Sequence, residues 1–154
     1  MIIVRKIPQM RSNLKFQGRT IYQAVIMASI IEKEAPFNPN DKDNRDARII
    51  SGIFWNRLKI NQALQSDATL SYFLDDKKPQ HSGQELATDS PYNTYKYPGL
   101  PPTPICNPGL LALEAAIYPI ETDYNYFLTP TGSRQVIFAK TYEEHLANKA
   151  KYLK

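Results

Sequence analysis

Between Ile21 and Ala35 the chain is apolar nearly all round: Ala24, Val25, Ile26, Met27, Ala28, Ile30 and Ile31 leave no broad polar face. A helix of that kind belongs in the middle of a domain rather than on its surface. Thr20 with Gln23 reads as a capping box that opens it, and Pro36 disfavours helical geometry at Ala35 and so closes it. Just before that stop stand three charged residues, Glu32-Lys33-Glu34. Ionised carboxylates are seldom buried without partners, so a central helix ending this way needs a reason for at least one of them.

The rest of the chain arranges itself around this helix. Asp43–Asp46 offers polar caps for a second buried helix, roughly Arg48–Ile60, carrying Ile49, Ile50, Ile53, Phe54, Trp55 and Leu58. Asp67 reads as the N-cap of a short helix ending near Leu74, and Gly83–Leu86 as a single turn. Ser90–Asn107 is rich in Tyr and Pro and predicts a long irregular loop, for which function is the usual justification. Pro108–Ile117 restarts a helix. Tyr124–Leu128 and Gln135–Ala139 read as a hairpin about Thr129–Ser133. Thr141 with Glu144 forms a second capping box for a terminal helix to about Tyr152. Met1–Gly18 shows no defensible period and is expected to be a linker or fragment end, leaving residues 19–154 as the domain. The predicted class is α+β, helix-dominated, with a small C-terminal β-hairpin.

Chemistry concentrates at the end of the central helix. Residues two apart on a helix point about 200° from each other, so Glu32 and Glu34 cannot share one cleft as a catalytic pair. Glu34 lies in the last turn, where the negative end of the helix dipole opposes a further negative charge. Burial against Met27, Ile30 and Ile31 pushes its pKa the same way, and a carboxyl that keeps its proton near neutrality suits a glycosidic leaving oxygen. The pattern fits equally two surface charges paired with Arg45, Arg48 or Lys33. Gln65-Ser66-Asp67, taken alone, is a helix cap. Tyr92-Asn93-Thr94-Tyr95 offers rings that stack on sugars and an amide that both donates and accepts, or simply a Pro-stiffened loop.

Composition narrows the remaining classes. A net charge of +4 is spread among interrupting acids rather than striped, which argues against nucleic acid and suits an anionic polymer or a plain solvated surface. One cysteine, Cys106, excludes an internal disulfide, and His81 and His145 lack ligand-like spacing, so no metal and no cofactor is expected. No nucleophile elbow, phosphate loop or dinucleotide fingerprint is present. No stretch has the length and apolarity of a membrane span.

Eight short segments, in order, resemble the endolytic murein transglycosylases of the MltG/YceG-like family. They include Ala28-Ser29-Ile30-Ile31-Glu32-Lys33-Glu34-Ala35, Phe54-Trp55-Asn56-Arg57-Leu58, Leu64-Gln65-Ser66-Asp67-Ala68-Thr69 and Asp89-Ser90-Pro91-Tyr92-Asn93-Thr94-Tyr95. Gly99-Leu100-Pro101-Pro102, Asn107-Pro108-Gly109, Tyr126-Phe127 and Lys140-Thr141-Tyr142-Glu143-Glu144-His145 complete the series. Each motif is weak alone; their shared register from about Ile21 onward is specific. Two positions depart from the family pattern: Val136 and Ile137, not a His, precede Phe138, and Thr103 stands where Gly is common after the Pro pair.

The resemblance implies a lysozyme-like catalytic core that cleaves the MurNAc–GlcNAc β-1,4 bond of peptidoglycan without water. Glu34-Ala35-Pro36-Phe37-Asn38-Pro39 is similar to the E-S-x-F-N-P signature of lytic transglycosylases, which selects Glu34 as the single acid/base. It further implies Gln65, Asp67, Tyr92, Asn93, Thr94 and Tyr95 as substrate-binding residues, and Glu32 in support, orienting Arg48 or the loop. Glycan strands are the implied partner, together with cell-wall synthesis or division proteins. The implied location is the extracytoplasmic face of the membrane, the parent protein held by an N-terminal anchor and this chain itself soluble. Alternatives are a muramidase that hydrolyses the same bond and a non-catalytic peptidoglycan-binding scaffold.

Overall fold

The computed structural model describes residues 2–38, 43–76, 78 and 81–153. Among these residues seven helices and two strands follow in order: α1 Ile2–Phe16, α2 Ile21–Glu34, α3 Arg45–Lys59, α4 Asp67–Leu74, α5 Gly83–Leu86, α6 Leu110–Ile117, β1 Tyr126–Leu128, β2 Ile137–Ala139 and α7 Tyr142–Tyr152. The class is α+β and helix-dominated.

The central position of α2 follows from its composition. Ala24 and Ile26 through Ile31 are buried, and the helix packs most extensively against α6, with further contacts to α1, α3 and α4. The core gathers Met27, Ile30, Ile31, Ile50, Phe54 and Leu64. The Thr20 hydroxyl accepts from Gln23 N–H while the Gln23 side chain accepts from Thr20 N–H, the expected reciprocal cap. At the far end Ala35 is extended (φ −95°, ψ 135°), as a residue before proline prefers.

Beyond shifts of two residues at the starts of α6, β1 and β2, three elements differ from the sequence expectation. Residues 2–16, aperiodic in sequence, form α1, which docks on the end of α6 through Leu14 in a small cluster with Ala24 and Ile117. Asn13 and Gln17 donate to the Ile117 carbonyl at 2.8 and 3.2 Å. α3 begins at Arg45, three residues earlier than predicted, with Asn44 at its N-cap. The N-cap of α4 is Ser66 rather than Asp67, and its hydroxyl makes no cap hydrogen bond because it is engaged elsewhere.

α3 lies against the segment after α6. Ile120 N–H donates to the Arg48 carbonyl at 2.9 Å, and a Cβ on Gly52 would stand 2.0 Å from the Ile120 carbonyl oxygen. The helix therefore needs a glycine there for close approach. β1 and β2 pair antiparallel, Tyr126 facing Ala139 and Leu128 facing Ile137, and α7 packs on both strands. Residues 90–107 contain no helix or strand. Among the described residues no helix is long and apolar enough to cross a membrane.

Candidate active site around Glu34

The two glutamates at the end of α2 diverge as the helical geometry requires. Glu32 turns toward α6, where its Oε2 accepts from Gly109 N–H at 3.1 Å. An anion at that helix N-terminus meets unsatisfied N–H groups and the positive end of the dipole, so Glu32 ties α2 to the end of the long loop. Arg48 is elsewhere: its Nε donates to the Tyr118 carbonyl at 2.8 Å and its Nη1 to Asp43 Oδ1 at 2.5 Å. Of the two expected partners of Glu32, Arg48 or the loop, Arg48 is engaged elsewhere. Glu32 serves the loop end, and Arg48 fixes the turn after α6.

Glu34 turns the opposite way, toward α4. Ser66 Oγ donates to Glu34 Oε1. Although part of the residue reaches solvent, protein surrounds its carboxyl group. That desolvation is the main cause raising its pKa, and the Asp67 charge adds to it. The Ser66 hydroxyl, the Ala68 N–H and the Arg57 guanidinium pull the other way without reversing the direction. A carboxyl displaced upward in this way is prepared to give up a proton in chemistry.

The backbone that presents Ser66 is shaped for the purpose. Gln65 adopts a left-handed φ of 54°, a conformation uncommon outside glycine, and its N–H donates to the Thr94 carbonyl at 3.0 Å. Ser66 N–H donates to Thr94 Oγ1 at 3.1 Å, and Thr69 and Thr94 hydroxyls meet at 2.9 Å. The loop at residue 94 thus holds the strained turn from below. The Gln65 side chain is left exposed.

Asn93 and Thr94 were expected to contact substrate, and here the structure corrects the reading. Asn93 is 0% exposed. Its amide donates to Leu86 and Thr88 carbonyls at 2.9 and 2.8 Å, while its oxygen accepts from Tyr95 and Lys96 N–H. All the polar capacity of that side chain is spent inside the loop. Thr94 is buried in the contacts already described. Both side chains are buried and engaged within the protein, as supports of the loop and of the turn at Ser66.

Tyr95 and Asp67 do come together beside Glu34. The Tyr95 hydroxyl donates to Asp67 Oδ1 at 3.0 Å. Burial and the Asp67 charge push the Tyr95 pKa up, so it stays a protonated donor. Tyr92 lies further along: its hydroxyl shares a 2.7 Å hydrogen bond with Thr103, and its ring packs 5.1 Å from that of Tyr72. Thr103, the departure from the family's glycine, thus gives Tyr92 its partner.

Two residues were not singled out from sequence. Ser66 was visible only as a cap. Arg57, 5% exposed, donates through Nη1 to the Leu64 carbonyl at 2.6 Å and through Nη2 to that of Asn125. It is the cation that acts on Glu34. Its position inside Phe54-Trp55-Asn56-Arg57-Leu58, on an otherwise buried helix, was the available signal. A cavity of about 810 Å³ lies between Arg19, Trp55 and Gly99 and includes neither Glu34 nor its partners. Among the described residues no cluster of metal-type ligands forms. Pro39, the end of the Glu34-to-Pro39 signature, lies outside the described residues.

The sequence matches the YceG-like family over residues 3–151. The chain belongs to the YceG-like family. It is 40% identical over 143 residues to the endolytic murein transglycosylase of Bacillus subtilis (strain 168), covering 93% of this chain and 38% of that protein. It is 32% identical to the endolytic murein transglycosylase of Streptococcus pneumoniae (strain D39), covering 92% of this chain and 26% of that protein. A crystal structure of a yceG-like protein from Listeria monocytogenes superposes with a TM-score of 0.80 at 43% identity, covering 92% of this chain and 44% of that one. The chain spans less than half the length of each of these relatives, and the YceG-like match takes in α1 from residue 3 as well as the rest.

Proposed function

We propose that this YceG-like chain is the catalytic portion of an endolytic peptidoglycan lytic transglycosylase with a lysozyme-like core, Glu34 being its acid/base. The observation that carries the reading is the Glu34 carboxyl: desolvated, raised in pKa, and held by Ser66 at the end of a buried helix. Protonated Glu34 gives its proton to the GlcNAc oxygen as the glycosidic bond breaks and positive charge develops at the MurNAc anomeric carbon. The resulting carboxylate takes the proton of the MurNAc C6 hydroxyl, whose oxygen closes onto that carbon. The product is a 1,6-anhydroMurNAc end; no water is consumed, and Glu34 finishes protonated. Gln65, exposed beside Ser66, and the Tyr92 and Tyr95 rings are the side chains left to shape sugar subsites.

A hydrolase reading has one observation in its favour. The sequence predicts Glu34 without a carboxylate partner on its own helix face, but α4 brings Asp67 close enough to act on it. Two carboxylates can serve an inverting or a retaining hydrolase. Asp67 Oδ1, however, already accepts from Tyr95 and faces His81, which suits an electrostatic neighbour better than a base for water.

Mass spectrometry of muropeptides released from purified sacculi separates the readings. Anhydro ends support the lyase, and reducing ends the hydrolase. Glu34→Gln is expected to lower release by roughly 100- to 10,000-fold, the usual range for losing a general acid/base. Unchanged release with a folded variant would leave a binding scaffold as the better account. In the whole protein, we place this activity at the extracytoplasmic face of the membrane, on glycan strands and alongside cell-wall synthesis or division proteins.

A further inference from the structure

His81 belongs to none of the family-like motifs, yet its side chain is 0% exposed. A fully desolvated imidazole needs partners for its nitrogens. Nδ1 lies 3.2 Å from Asp67 Oδ1; Nε2 lies 3.3 Å from Asp76 Oδ1 and 3.4 Å from Ser71 Oγ. These three residues are the first residue of α4, its middle and the segment just past its end. The ring therefore sits against one face of the short helix, its Nδ1 toward Asp67 at the end that faces Glu34 and its Nε2 toward Ser71 and Asp76.

We propose that His81 is a positioning residue for the Glu34 chemistry: with Tyr95 it clamps the Asp67 carboxylate where that carboxylate acts on Glu34. The proposal rests on the reading of Glu34 as the acid. Asp67 is the part-exposed member of the group, its side chain 38% exposed, and an unheld carboxylate there would swing into water. Its Oδ1 instead meets two side chains from different segments, the Tyr95 hydroxyl from the loop, which donates to it, and His81 Nδ1 from the residues after α4. Coulomb interaction weakens with distance and with solvent access, so the effect of Asp67 on Glu34 depends on this clamp. The other charged groups in the neighbourhood are Arg57, which faces Glu34, and Asp76, which faces His81 and is backed by Lys78 at 3.7 Å. Lys78 in turn pairs with Glu85.

Two near-isosteric replacements separate the nitrogens. Asparagine places its amide where Nδ1 was and can still donate to Asp67; glutamine reaches toward the Nε2 position and Asp76. The Glu34 carboxyl is titrated by NMR on carbon-labelled protein, assigned against Glu34→Gln, in wild type, His81→Asn and His81→Gln. The pH profile of muropeptide release is recorded in parallel. In His81→Gln the Asp67 charge is released, Glu34 gives up its proton at lower pH, and the alkaline limb of the profile moves down with it. His81→Asn keeps both near wild type. Equal behaviour of the two variants, or a Glu34 titration unmoved or moved upward in His81→Gln, overturns the proposal. The titration needs no turnover, so an inactive wild type would defeat the functional reading while His81 is still judged.

Discussion

At the scale of single residues, Ser66 and Asp67 act on Glu34 in opposite senses although they are neighbours. The Ser66 hydroxyl donates to the carboxylate form and so lowers the Glu34 pKa; the Asp67 charge raises it. Removing each should move the Glu34 titration in contrary directions. Ser66→Ala takes away the donor, so Glu34 holds its proton to higher pH and the alkaline limb of the rate profile shifts upward. Asp67→Asn removes the opposing charge and shifts that limb downward. Rate measurements on sacculi across pH check both signs; a common direction for the two variants would show that the limb does not report Glu34. That pairing was not legible in the sequence. Glu34 and its divergence from Glu32 follow from helical geometry alone, whereas the Ser66 contact joins residues 32 positions apart and depends on how α4 docks.

Elements show the same division between local and distant causes. The capping boxes at Thr20 and Thr141 are encoded within four residues and place α2 and α7 correctly. α1 was missed because Pro8 stands inside it, basic and polar residues break up its apolar ones, and its docking rests on Leu14 and on side-chain donors to Ile117. The loop of residues 90–107 was legible as irregular, but its internal order was not: Asn93 reads as a sugar ligand and instead bonds four backbone groups. Asn93→Ala is therefore expected to destabilise the fold by roughly 2–4 kcal/mol and to slow muropeptide release by loosening the Thr94 support of Ser66, which denaturant unfolding and turnover would together reveal. Gly52→Ala tests the approach of α3 to Ile120. With 2.0 Å between the added Cβ and a carbonyl oxygen, the backbone must move, at a cost of about 3 kcal/mol or more. A melting temperature equal to wild type would contradict that packing.

At the scale of the molecule, the Glu34 site should be visible in global stability. Its folded-state pKa is raised above the ordinary value, chiefly by burial, so the native state favours the protonated carboxyl. Below the unfolded-state pKa, Glu34 is protonated in both states and the native fold carries no penalty. As pH rises, the unfolded chain ionises freely while the native carboxyl does not, and stability falls until the folded pKa is passed. Glu34→Gln keeps the shape of the group, retains an oxygen that accepts from Ser66, and has no proton to lose. The variant is accordingly expected to match wild type in melting temperature at about pH 4, near the ordinary glutamate value. It should then become the more stable protein as pH rises to about 8, by a few degrees. Calorimetry of the two proteins across that range measures the gap directly. A gap that stays constant with pH would mean that the carboxyl is not desolvated in the fold. The same curve then carries a functional consequence: where wild type is the less stable protein, the difference is the cost of keeping an ionisable acid in a site that prefers it neutral.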